Sequence, residues 1–190
     1  QPDNFTALAL ATEIELRQGD LDKAERRAKG IIEKLPKRGA GHMLLADVLR
    51  ARKQTAAALE SDRTALRIEP GTMPLIRVFN ALWQQNESAP AQKLAEDWLR
   101  KHPDDLVVHR ALANGYARLG QLALARKAYE GLLKNNPDDT DALNNLANIL
   151  LLQKDPGALA MAENVYQADP SNPNTIDTLG WVLFNQGQHD

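Results

Sequence analysis

LVVHRALANGYARLGQLALARKAYEGLLKNNP, residues 106–137, reads as two amphipathic helices laid end to end. His109, Leu112, Ala113 and Tyr116 recur at the i, i+3, i+4, i+7 spacing that gathers side chains on one helical stripe. Gly120 interrupts the pattern. A second stripe of Ala125, Tyr129, Leu132 and Leu133 follows. Pro137 closes it, because proline cannot extend a helix and biases Asn136 before it away from helical dihedrals. The stretch predicts one helical hairpin.

The hairpin recurs along the chain. Prolines stand at Pro36, Pro70, Pro103, Pro137 and Pro170, at intervals of 34, 33, 34 and 33 residues. Nine and ten residues beyond them come Leu45-Ala46, Phe79-Asn80, Leu112-Ala113, Leu146-Ala147 and Leu179-Gly180. Large is followed by small everywhere except at Asn80. Thirteen residues beyond each proline stand Leu49, Trp83, Tyr116, Leu150 and Leu183, all large and apolar, so the same face is apolar each time.

With these residues the chain resembles the tetratricopeptide repeat (TPR) family, whose roughly 34-residue unit follows W-x2-L-G-x2-Y…A-x3-F…P. The central unit supplies His109-x2-Leu112-Ala113-x2-Tyr116, Ala125-x3-Tyr129 and Pro137; the last supplies Ile176-x2-Leu179-Gly180-x2-Leu183 and Gly187. The resemblance implies an all-α, right-handed α-solenoid of about five and a half helix-turn-helix units in one array, 1–190. The units are approximately 3–36, 37–70, 71–103, 104–137, 138–170 and a partial 171–190. Small residues let the two helices of a hairpin approach, and large ones fill the layer between neighbours.

The weaker matches carry their own expectations. In the first unit Ala7-x2-Leu10-Ala11-x2-Ile14 fits if the first helix is read one residue early; Ala24, Ala28, Ile31 and Ile32 then face inward, with Asp20 as cap. In the second, His42, Leu45, Ala46 and Leu49 lie on the first helix and Ala58, Ala65 and Leu66 on the second, with Lys53 replacing the turn glycine. The 33-residue units are expected to lose their residue at the inter-helix turn, in QNESAPAQ and QKDPGALA. Pro90 and Pro156 then fall in the first turn of a second helix, capped by Ser88 and Asp155. Asn80 takes the small slot of the third unit, where the largest deviation is expected.

Composition is that of an ordinary soluble domain, 43% hydrophobic and 25% charged. The longest aliphatic run, Ile149 to Leu152, falls far short of the roughly 20 residues that span a bilayer. No membrane insertion by this segment is expected. The absence of cysteine excludes disulfides, thiolate metal sites and a cysteine nucleophile. A start at Gln1 and a stop one helix into a unit are read as an excerpt of a longer protein. Residues 138–190 hold one basic residue, Lys154, against eight acids, while the remainder holds 22 basic against 17 acidic. Solvated helix faces account for this asymmetry; a charge-matched partner is the sharper reading.

No catalytic constellation emerges, so the chain is read as no enzyme, with no catalytic residue, metal or cofactor. His42, His102, His109 and His189 are scattered, and packing rather than a ligand role accounts for them. Asp104-Asp105 and Asp138-Asp139 follow repeat prolines and read as helix caps. Gly115, inside a helix, reads as a packing accommodation.

The surface remains. In the fold that the resemblance implies, first helices line a concave groove that takes a peptide or a protein surface. Counting along each unit puts Met43 and Asp47, Arg77 and Ala81, Arg110 and Asn114, Asn144 and Asn148, and Asp177 and Trp181 on it. Arg50, Gln84, Leu151 and Phe184 come next along. The candidate binding set is Arg77, Arg110, Asn114, Asn144, Asn145, Asn148, Asp177 and Trp181, since Asn and Arg donate to peptide carbonyls and carboxylates and Trp181 adds an apolar patch. Relatives that clamp a terminal carboxylate use two further basic residues. Arg110, Asn114 and Asn145 match that pattern, but Asn174 and Thr178 stand where those basic residues belong.

The expected partner is therefore a protein or peptide, not nucleic acid. Pentatricopeptide hairpins that bind RNA have a longer period and basic grooves. A second alternative is an architectural spacer in a bacterial envelope or exopolysaccharide export assembly. NTIDTLGWVLFNQGQ, residues 174–188, is similar to bacterial TPR lipoproteins of the PEP-CTERM and exopolysaccharide export type, which would imply a lipid-anchored periplasmic location.

Overall fold

The computed structural model describes residues 5–187, so His189 and the outer ends of the first and last predicted units lie outside the described residues. Among the described residues there are eleven α-helices and no strand: α1 (Phe5–Gln18), α2 (Leu21–Lys34), α3 (Ala40–Ala51), α4 (Thr55–Ile68), α5 (Thr72–Gln84), α6 (Ser88–Leu99), α7 (Leu106–Arg118), α8 (Leu122–Asn135), α9 (Thr140–Leu152), α10 (Ala158–Ala168) and α11 (Pro173–Asn185). The fold is an all-α helical repeat. It divides within α6 into two compact units, residues 1–94 and 95–190.

The five hairpins turn on one residue with positive φ each, Gly19, Lys53, Asn86, Gly120 and Lys154, and Gly187 ends α11 with the same backbone. After the first five, the next backbone N–H donates back to the carbonyl of Glu15, Leu49, Leu82, Tyr116 or Leu150, each at 2.9 Å. This is the left-handed helix stop that satisfies orphan carbonyls. It fixes the register of the preceding helix better than the prolines do.

Counted from these turns, two expectations shift by one residue. In the first unit the buried positions are Thr12 and Glu15, while Leu10 and Ile14 are 55% and 46% exposed. Reading α1 one residue early is therefore corrected: the extra space goes to Glu15, whose carboxylate takes a two-pronged bond from Arg27, 3.0 Å from Nε and 2.6 Å from Nη2. In the third unit Phe79, not Asn80, fills the small-residue slot; Phe79 is buried and Asn80 exposed. The missing residue lies before α5, which starts two residues after Pro70, and not in the turn at Asn86. In the fifth unit the loss does fall at the turn: Lys154 keeps its left-handed backbone, but Ala158 follows it one residue sooner than Ala125 follows Gly120.

Caps vary in the same way. Asp105 and Asp139 accept from the N–H of Val108 (3.2 Å) and Ala142 (3.0 Å) as the sequence suggests. Asp20 instead takes the Lys23 ammonium at 2.7 Å. Ser88 and Pro90 both lie in the first turn of α6, while Pro156 precedes α10 and Asp155 accepts from Gly157 N–H at 2.8 Å.

The two units are filled differently. In the first, Gly41 lets α3 lie against α2, since a Cβ there would stand 2.9 Å from Ile32 Cγ1 and 3.1 Å from Ile32 N. Ala28, Ile31 and Leu44 form the adjoining core, with Phe5 and Leu8 packed on it. In the second, Val108, Ala113, Ala125, Leu132, Ala147 and Val182 are fully buried. Burial of each valine or leucine among them stabilises by about 1.5–3 kcal/mol, while the alanines serve mainly to let the helices approach. Gly180 is not at a close crossing, because a Cβ on it would meet nothing within 4 Å.

Candidate functional site

Within the second unit, α7, α9 and α11 each present a polar stripe to one cavity of about 440 Å³. Arg110 and Asn114 come from α7, Asp141, Asn144, Asn145 and Asn148 from α9, and Asn174, Asp177 and Thr178 from α11. The spacings of three, four and seven residues put each set on one helical face. Six of the eight sequence-predicted residues are thus brought together: Arg110, Asn114, Asn144, Asn145, Asn148 and Asp177.

Much of this lining is tied down. Arg110 bonds the nearly buried carboxylate of Asp139, the residue that caps α9. Tyr129 O–H, reaching through from α8, donates to Asn114 Oδ1 at 2.5 Å, and the Asn145 amide bears on the same hydroxyl. Burial raises the Tyr129 phenol to about 12, with Arg110 and Asn145 pulling the other way. Asn148 Nδ2 donates to Thr178 Oγ1 at 3.1 Å and to the Asn144 carbonyl at 3.3 Å. Asn144 Oδ1 is buried without a partner, a cost that a donor from a bound molecule would relieve. Asp141 and Asp177 are exposed and make no ion pair among the described residues.

Trp181 and Arg77 stand outside the cavity. Trp181, 54% exposed, stacks on Phe184 with ring centroids 5.7 Å apart. Arg77 is corrected as a groove residue. Counting from Asn86 places Ile76 and Asn80 where Arg110 and Asn114 stand in the next repeat, and it turns Arg77 and Ala81 inward. The Arg77 side chain meets Asp62 at 2.7 Å, Asp47 at 2.8 Å and the Met43 carbonyl at 2.9 Å. Arg50 completes the cluster, 2.6 Å from Asp62 and 2.5 Å from Asp47. Asp62 itself is wholly buried. It sits in the slot that Tyr129 fills two repeats later. That substitution in the Ala-x3-aromatic pattern was the signal for this ion cluster, and the sequence reading passed over it.

The three described histidines are taken up by their surroundings. His102 stacks on Trp98 at 4.0 Å, the His109 ring bonds the Pro103 carbonyl at 2.8 Å, and desolvation holds His42 below the usual imidazole range. Among the described residues no group of His, Cys, Asp and Glu could hold a metal ion, and no helix is long and apolar enough to cross a membrane.

Stacked helical hairpins of this repeat type are the fold of protein-interaction scaffolds. The chain belongs to the tetratricopeptide repeat family, whose profile matches residues 13–71 and 110–173, more than half of its length. Among solved structures it is similar to pilF of Pseudomonas aeruginosa (18% identity, 96% of this chain and 86% of that one, TM-score 0.71). It is also similar to PilW, described as a widely conserved type IV pilus biogenesis factor (20% identity, 97% and 86%, TM-score 0.69). YrrB, described as a TPR protein with an unusual peptide-binding site, shares 13% identity over 90% of this chain and 89% of its own, with a TM-score of 0.66. A curated relative, Cellulose synthase operon protein C of Pseudomonas fluorescens (strain SBW25), is 25% identical over 115 residues, which is 60% of this chain and 9% of that protein.

Proposed function

We propose that this segment is a non-catalytic adaptor that holds an extended peptide, or a strand-like stretch of a partner protein, in the pocket of α7, α9 and α11. The observation that carries this reading is the convergence of six predicted donor and acceptor residues from three successive first helices on one cavity. Side-chain amides both donate and accept, so a row of them pairs with the alternating N–H and C=O groups of a peptide backbone whatever its side chains. The likeness to YrrB supports this reading. Arg77 has no part in it. A terminal-carboxylate clamp is disfavoured because Asn174 and Thr178 supply no cation. RNA is disfavoured by the carboxylates of Asp141 and Asp177, which repel phosphate.

The test is binding of an extended peptide by fluorescence anisotropy to the chain and to Asn144→Ala/Asn174→Ala. These two side chains make no bond that another element depends on. Affinity should fall at least roughly tenfold, about 1.4 kcal/mol, with helicity unchanged by circular dichroism. Unaltered affinity would move the site elsewhere. A second reading, a spacer in a bacterial envelope or polysaccharide export assembly, is favoured by the similarity to Cellulose synthase operon protein C. In that case the pocket stays empty, and no peptide binds at any concentration tested.

A further inference from the structure

We infer that the ligand of this pocket is cationic: an extended segment carrying lysine or arginine, whose side chains are taken by Asp141 and Asp177. The inference rests on the peptide-binding reading above and adds the chemistry of the partner. The pocket's lining holds one cation and two anions. Arg110 is already spent on Asp139, so the pair presents no net charge to a visitor. Asp141 and Asp177 have no such counter-charge. They are exposed, they come from two different helices, and both line the cavity.

Among the described residues neither carboxylate is in an ion pair, and Lys154 is the only Lys or Arg from 138 to 190. Lys154 closes the α9–α10 turn and does not line the cavity. The walls between the two carboxylates are amides, and the buried Asn144 Oδ1 lacks a donor. A backbone N–H fits that oxygen, while ammonium or guanidinium groups on either side find carboxylates that need no desolvated partner broken first. An acidic segment meets two uncompensated negative charges and no free positive one.

Three labelled octapeptides of equal length, capped at both ends and alternating alanine with lysine, glutamine or glutamate, test the inference against the chain at low and moderate salt. The lysine peptide should bind about tenfold tighter than the glutamine peptide, from two exposed charge pairs. The glutamate peptide should bind worst. Asp141→Asn/Asp177→Asn should bring lysine and glutamine peptides within about twofold of each other, and higher salt should do the same to the unaltered chain. Glu163→Gln, on α10 and outside the pocket, should change nothing. Equal or tighter binding of the glutamine or glutamate peptide overturns the charge preference. If Asn144→Ala/Asn174→Ala still weakens those peptides, the groove reading survives that result. A lysine preference that persists in the double Asp variant, or vanishes equally in Glu163→Gln, places the cation contact elsewhere and overturns the inference. Failure of all three peptides to bind overturns both readings.

Discussion

Replacing Asp62 by alanine should be among the most damaging single changes to the first unit. Its carboxylate is wholly buried and receives Arg50 Nη1 at 2.6 Å and Arg77 Nε at 2.7 Å. A hydrogen bond between charged groups contributes about 1.5–3 kcal/mol, so the two together bring roughly 3–6 kcal/mol. Part of that is recovered in the variant. The guanidinium side chains are 31% and 20% exposed and keep Asp47 at 2.5 and 2.8 Å, so water and the remaining carboxylate take up some of the slack. The expected net cost is about 2–4 kcal/mol. For a chain of this size that lowers the melting midpoint by roughly 5–15 °C. Thermal and urea unfolding followed by circular dichroism read it, and Asp62→Ala combined with Arg77→Ala in a double-mutant cycle isolates the pair, with a coupling above about 1 kcal/mol expected. A midpoint unchanged to within about 1 °C, or a coupling near zero, would refute the view that this cluster holds α3, α4 and α5 together.

Four further outcomes follow from the geometry. Gly41→Ala should cost about 1–3 kcal/mol by forcing α3 off Ile32, whereas Gly180→Ala, with open space around its Cβ and a helical backbone, should stabilise by about 0.5–1 kcal/mol; opposite shifts in melting midpoint check both. Lys53→Gly should stabilise by up to about 1 kcal/mol, because Lys53 holds φ at 61° where only glycine is unstrained, and denaturant midpoints will show it. Tyr129 is raised in the folded chain from 10 to about 12, so its contribution is complete below pH 10 and is lost as pH climbs towards 12. Stability from melting or urea midpoints against pH should fall in that window by on the order of 2 kcal/mol from Tyr129, and Tyr129→Phe should remove that part while the loss from Tyr116, also raised by burial and Glu96, remains. Arg110→Ala should destabilise as well as perturb the pocket, since it strands the nearly buried Asp139 that caps α9; a loss of helicity on heating separates this effect from ligand binding.

The repeat, the helix order and the polar face of the second unit were legible because they rest on short-range chemistry. Periodic apolar residues, prolines after second helices and asparagines on first helices each report their own surroundings. What was misread came from the choice of landmark. Pro70 ends α4, but a residue is missing between it and Asn86, so a count that starts at the proline turns α5 by about 100° and mistakes Arg77 for a groove residue. The left-handed residue is the better origin, yet Lys53, Asn86 and Lys154 do not advertise that backbone as glycine does. Glu15 and Asp62 were missed for a different reason. Each carries charge into a slot that the pattern reserves for large apolar groups, and only the arrival of Arg27, or of Arg50 and Arg77, makes that burial tolerable.

The bond from Tyr129 to Asn114 links a solvent-facing amide to a ring in the hydrophobic interior. A molecule that turns the Asn114 amide away from the ring deprives the phenol of that acceptor, and the tyrosine ultraviolet spectrum then shifts. If the proposed pocket binds, the protein thus carries a native chromophore hydrogen-bonded to its lining, one that reports occupancy without a label.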